Sequence, residues 1–244
     1  MTTDTEHKKG TDGPLQSLLQ HRFVVLLVLL GLFLTVLPFL RALNPDYEKG
    51  LFQLVSAPLF TCILLSAVFA ISRTRTTLVI AVLLGVPAVA MELIPRELAT
   101  PFLQLATDAV EGCLLAYCVA LIVRRLFDIE EVTFDNICAS VCAYILLAIV
   151  WALVYEVIER QVPGSFLSGG AVINGFGETG NIASIYFSMV TISTLGYGDI
   201  VPASQQVRIL AACEAIMGQI YLAILVARLV GLHIAHARAQ RSLE

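Results

Sequence analysis

The sequence predicts an all-α membrane protein with six transmembrane helices and a shorter re-entrant helix between the fifth and the sixth. Three observations predict it. Hydrophobic residues make up 58% of the chain and charged residues only 14%, where soluble domains carry about half and about a quarter. The apolar residues are gathered into six runs close to the about 20 residues that a bilayer-spanning helix needs. A seventh run is about half that length, which suits a helix that dips into the membrane and returns. The net charge of −4 is spread along the chain, so no basic face points to nucleic acid. No paired nucleophile and base points to an enzyme. The six cysteines lie inside apolar stretches with no CxxC pair, and the four histidines lie near the termini. Both patterns read as packing rather than as a metal site, and no cofactor is expected.

The first run is 23–40, after a polar stretch containing His7, Lys8 and Lys9 that is too long and polar for a cleaved leader. The next runs are 51–71, 76–94, about 98–123 and about 134–158, and the last is 207–233. The short run is 182–192. With the N-terminus inside, ten Lys and Arg residues fall on the cytoplasmic side and five on the other: Arg41, Lys49, Arg96, Arg160 and Arg208. The positive-inside rule therefore puts both termini in the cytoplasm of a cell (inner) membrane, and the loop around 182–202 outside. Between the fourth and fifth spans, apolar Phe127, Ile129 and Val132 interleave with acids. This reads either as a short surface helix or as a plain acidic linker. The stretch 163–180 is glycine-rich and is expected to be a loop without regular structure.

The segment Thr191-Ile-Ser-Thr-Leu-Gly-Tyr-Gly-Asp-Ile-Val-Pro202 follows the short helix. A helix ending near Ile192 aims the negative end of its dipole toward the membrane centre, which favours a dehydrating cation. Gly196 and Gly198 allow backbone angles that other residues adopt only with strain. Irregular backbone at that depth survives where it is buried in protein or lines a water-filled path. One strand cannot surround an ion, whereas four copies can replace its water shell with carbonyl oxygens.

In this segment the chain resembles the potassium channel superfamily, in the pore module of outer helix, pore helix, selectivity filter and inner helix over 134–233. The resemblance implies a homotetramer in a lipid bilayer that conducts potassium ions passively. Thr194, Leu195, Gly196, Tyr197 and Gly198 would be the ion-binding filter, with K+ held at the first four. It also implies a division into a tail (1–22), a four-helix domain (23–125), a linker (126–135) and a pore domain (136–244). Tyr186 and Phe187 stand where many members brace the filter with a Trp pair, and with Asp199 they are the expected filter supports. Val190 stands where some members pair a Glu with the filter Asp, so Asp199 lacks that partner and altered filter stability is expected.

Gly218 falls where similar inner helices bend, so it is either a gating hinge or a close-packing glycine. Gln219, Leu222, Val226 and Val230 form one helical stripe. Facing the axis, Leu222 and Val226 would form an apolar gate that closes by dewetting; a lipid-facing or core stripe has the same spacing. Glu214 is the one acid of this helix, either a functional or a structural carboxylate. The fourth span has no Lys or Arg within 98–123 and instead carries Asp108 and Glu111, which with Glu92 read either as a hydrated or protonated cluster or, preferably, as polar glue within the helix bundle. Voltage gating, which moves basic charge through the field, is therefore expected to be weak or absent. A cation-coupled secondary transporter using a pore-like loop is the alternative, disfavoured by the presence of one complete loop. A sensor or scaffold has nothing in its favour.

Overall fold

The computed structural model describes residues 22–43, 49–71, 75–92, 100–127, 133–173 and 182–241. In chain order these form α1 (Arg22–Leu43), α2 (Lys49–Ile71), α3 (Arg75–Glu92), α4 (Pro101–Phe127) and α5 (Phe134–Gln161). Then come β1 (Phe166–Ser168), β2 (Ala171–Val172), α6 (Ile182–Ile192), β3 (Ile200–Pro202) and α7 (Gln205–Arg241). The protein is mostly helical. Among the described residues four stretches, Arg22–Leu40, Phe102–Phe127, Phe134–Gln161 and Gln205–Gly231, are long and apolar enough to cross a membrane. The described parts of α2 and α3 hold the shorter apolar stretches Pro58–Ala70 and Arg75–Met91. Pro38, Pro58 and Pro87 lie inside helices, a use of proline that membrane helices tolerate because neighbours satisfy the freed backbone.

Helix boundaries follow from local chemistry. Pro101 opens α4 at the position where its missing N–H costs nothing, and the Thr100 hydroxyl accepts from Leu103 N at 3.3 Å. The fourth span therefore starts three residues later than the apolar run suggests and continues to Phe127. Arg124 and Arg125 fall in its last turn, where cations suit the helix dipole. The linker expected from residue 126 loses its first two residues to α4, and the possible surface helix lies mostly in 128–132, outside the described residues. Thr133 caps α5, accepting from Asn136 N at 3.3 Å. The Asp135 carboxylate reaches across to accept from Phe23 N at the start of α1, at 3.2 Å.

On α1 the buried residues are Phe23, Leu26, Leu30, Phe33 and Leu37, spaced alternately three and four apart as one helical stripe requires. That stripe packs against α2 and α5, meeting Ile63 and Leu64 of α2 and Leu146 and Ile149 of α5. Leu114, Leu115 and Ile122 of α4 complete this core, and α4 lies against both α3 and α5. The first four helices are thus fastened to α5. A second, smaller cluster joins Tyr155 of α5, Phe166 of β1, Phe187 of α6 and Val207 of α7, with three edge-on ring pairs at 5.0–5.7 Å.

The stretch after α5 is not the irregular loop that its glycines suggested. It carries an antiparallel hairpin of β1 and β2, and β3 pairs with the other edge of β1. Gly169 and Gly170 both have positive φ (58° and 86°), the two-residue turn geometry whose twist matches a hairpin. The sheet forms because β3, brought in from beyond the short helix, supplies β1 with a partner that adjacent sequence does not reveal. Residues 174–181 lie outside the described residues.

Candidate functional site

The loop between α6 and β3 is anchored at both ends. At its start the end of α6 is closed by the loop's own amides. Thr194 N donates to Thr191 O at 2.9 Å, and Leu195 N and Gly196 N donate to Val190 O at 3.0 and 3.3 Å. This is the bonding pattern of a helix terminated by a left-handed residue, a place commonly filled by glycine. Here Thr194 takes it, with φ of 57°, and it is the one described non-glycine residue with positive φ. Gly196 and Gly198 follow at 59° and 78°, so every second residue from Thr194 to Gly198 is left-handed.

At its far end the loop runs into β3. Gly169 N donates to Asp199 O at 3.2 Å, and Ala203 N to Ser165 O at 2.8 Å. The buried Glu159 carboxylate of α5 in turn accepts from Gly164 N and Ser165 N at 2.8 and 2.9 Å. A helix end and a sheet edge, both fixed to α5, therefore set the span of the loop. Between them Thr194 to Asp199 are exposed along one side of the chain, Tyr197 to 65%.

Tyr186 and Phe187 have separate places. The Tyr186 hydroxyl donates to Asp199 Oδ2 at 2.7 Å. This bond, helped by the Ile200 backbone N–H and opposed by partial desolvation, holds the Asp199 carboxyl below its usual range. The expectation that Asp199 lacks a partner because position 190 is a valine is thus corrected: its partner is Tyr186, one turn earlier on α6. Phe187 points away from the loop into the cluster with Tyr155 and Phe166. Neighbours in sequence on a helix lie about 100° apart, so one faces the loop and the next the core.

Gly218 is buried in the uninterrupted helix α7. A Cβ there would lie 2.3 Å from Ile192 O, at the end of α6. The absent side chain lets α7 touch the base of the loop, and the Tyr144 hydroxyl donates to the same Ile192 oxygen at 2.9 Å. Gln219 Nε2 donates to Thr194 Oγ1 at 3.3 Å. Leu222, Val226 and Val230 continue from Gln219 along a face of α7 that is exposed in the single chain. At the opposite end, the Arg228 guanidinium donates to Phe127 O and stacks over the Phe127 ring at 5.5 Å, joining α7 to the end of α4.

Sequence reasoning missed several contacts. Asp108 pairs with Arg160 of α5, which also holds Glu156 at 2.9 Å. That ties the fourth helix to the outer helix of the loop region and gives Asp108 the role of polar glue. Glu111 is buried beside it, and the Glu92 side chain lies outside the described residues. Glu214 is fully buried behind the loop, where Tyr155 Oη donates to Oε2 at 2.6 Å. Ser188 Oγ of α6 lies 2.5 Å from its Oε1 and 2.7 Å from Ala148 O. No spacing rule predicts these partners, which stand 26 to 59 residues from Glu214 or Asp108; only the apolar surroundings of the acids signalled that partners were needed.

Residues 141–233 match the ion channel family model. The matched region begins in α5 and ends in α7, and so contains α6, the loop and β3 whole. No curated protein matches the chain. The ion-channel match and the long apolar helices together support a membrane protein that transports ions. They give the anchored loop its context: within the matched region the backbone departs from regular structure between two helices long and apolar enough to span a bilayer.

Proposed function

We propose that four copies of this chain form a passive, potassium-selective channel whose filter is Thr194, Leu195, Gly196, Tyr197 and Gly198. The observation that carries this reading is the alternation of left-handed residues at 194, 196 and 198. In a β-strand successive carbonyls point to opposite sides; alternating the hand of the backbone turns them toward the same side. That side would become a column of oxygens able to replace the hydration shell of a monovalent cation. The Thr194 hydroxyl, fixed by Gln219, stands at the inner end of the column.

The tetramer has its own support. Non-helical backbone at membrane depth requires cover by protein or a water-filled path, and the loop is exposed along its length in one chain. The large apolar residues Ile209, Ile216, Ile220, Leu222, Val226 and Val230 of α7 are exposed as well. Four chains around one axis would bury part of this surface and leave Leu222 and Val226 to narrow the path as an apolar gate. The distribution of basic residues supports termini on the cytoplasmic side of a cell membrane. Weak or absent voltage gating follows from the fourth span, which has no basic residue before Arg124 and Arg125 in its last turn and whose Asp108 is held by Arg160.

Uptake of potassium, rubidium and sodium by vesicles containing the purified protein tests the proposal. Barium-sensitive uptake that favours potassium and rubidium over sodium is the expected result. Equal sodium uptake would defeat potassium selectivity, and flux coupled stoichiometrically to protons would assign a transporter instead.

A further inference from the structure

The two oxygens that Ser188 Oγ approaches cannot both be served by the single proton that an ionised Glu214 leaves between them. A serine hydroxyl carries one proton. Ser188 Oγ lies 2.7 Å from Ala148 O, a carbonyl that can only accept, and 2.5 Å from Glu214 Oε1. If the serine proton lies on the first contact, the second is a bare approach of two oxygens unless Glu214 supplies a proton. The Tyr155 hydroxyl spends its own proton on Oε2 at 2.6 Å. One directed chain satisfies every atom: Tyr155 Oη–H to Glu214 Oε2, Glu214 Oε1–H to Ser188 Oγ, and Ser188 Oγ–H to Ala148 O.

The surroundings agree. Glu214 and Ser188 are both 0% exposed, and a charge buried without a counter-ion is costly. No basic side chain pairs with Glu214 among the described residues. The titratable groups that face it are Tyr155 and Tyr144 from α5, with Cys213 beside it on α7. From α6 comes the Ser188 hydroxyl, and no group in this set is a cation.

We propose that Glu214 is an uncharged carboxylic acid that positions α6 through Ser188, and that loss of its proton at alkaline pH switches conduction off. Ser188 stands one turn before Ile192, where α6 gives way to the loop, and its bond to Ala148 ties α6 to α5. An ionised Glu214 would draw the serine proton to itself, and that tie would be released just below the filter. Glu214 is thus a positioning residue, and its effect on conduction rests on the channel reading above.

Two measurements test it. Infrared spectroscopy of the wild-type protein at neutral pH should show a carboxylic-acid C=O band that disappears in Glu214→Gln, shifts in Ser188→Ala and is lost as the pH is raised. In vesicles, wild-type rubidium uptake should fall on the alkaline side by about tenfold per pH unit or more, as loss of one proton per chain demands. Glu214→Gln, whose amide can donate to Ser188 and accept from Tyr155, should conduct at neutral pH and lose that alkaline fall. Absence of the band, a flat alkaline profile in the wild type, or an unchanged fall in Glu214→Gln overturns the proposal. Should Glu214→Gln fail to fold, the band shift in Ser188→Ala still decides. If the wild type conducts at no pH, the channel reading fails, and the switch with it, while the band separately decides whether the acid is neutral.

Discussion

Thr194 closes α6 as a helix-terminating residue and opens the alternating backbone of the loop, two tasks that share one left-handed conformation. For an L-residue other than glycine that conformation costs about 1–2 kcal/mol, so Gly196 and Gly198 are the positions where the cost is avoided. Gly196→Ala and Gly198→Ala should each destabilise the loop by about 1–2 kcal/mol per chain; selective uptake should be lost while helical content by circular dichroism is kept. Asp199 gives a pH dependence of known sign. Its carboxyl is held low chiefly by Tyr186, so its contribution to the loop is complete above the ordinary carboxylate range and is lost as pH falls through the lowered value. Tyr186→Phe should move that loss to higher pH, read as a shift in the acid limb of the uptake profile and in the carboxyl NMR titration of Asp199. The glycines, Asp199 and the supporting position of Tyr186 were legible as a motif, but the bond from Tyr186 to Asp199 was not, because which face of α6 meets the loop is set by the packing of that helix.

Elements meet where small residues or charge pairs let them. Gly218→Ala would set a Cβ against the Ile192 carbonyl, and overpacking of this kind costs about 1–3 kcal/mol. A lower thermal midpoint in detergent, together with reduced uptake, is the expected result. Unchanged stability with altered open probability would favour the hinge. The sequence left both roles open because a glycine inside an apolar helix serves either. Asp108→Asn should weaken the hold of α4 on α5 by a few kcal/mol, about 3, since it leaves a partly buried guanidinium short of a partner. Combining it with Arg160→Gln should cost less than the sum of the two, a coupling that a double-mutant cycle in chemical denaturation reads directly. The pair was hidden because α4 and α5 run antiparallel, which brings residues 52 positions apart together.

At the scale of the whole molecule, the proposed assembly starts from what a single chain leaves exposed. The loop between α6 and β3 lacks the cover that a bilayer protein gives to irregular backbone, and α7 exposes large apolar side chains. Native mass spectrometry from detergent should therefore find four times the 26.5 kDa of one chain, and a monomer that conducts would refute the tetramer. A conductance that rises shallowly with voltage is expected in planar bilayers, because the fourth span carries no basic residue across the field. A steep conductance–voltage curve would show that charge moves elsewhere in the molecule.

Composition and run length alone established a membrane protein of long helices, since water and lipid sort apolar residues before any tertiary contact forms. The TLGYGD segment marked the loop, because its glycines and helix-end position are local properties. Tertiary structure alone decided that β3 completes a sheet with β1, that Tyr186 takes Asp199 and Phe187 the core, and that Gly218 meets Ile192. It also placed Glu214 among partners that account for its proton. Such pairings depend on which faces of distant helices are brought together, and in chains apolar on every side that choice is not written in periodicity.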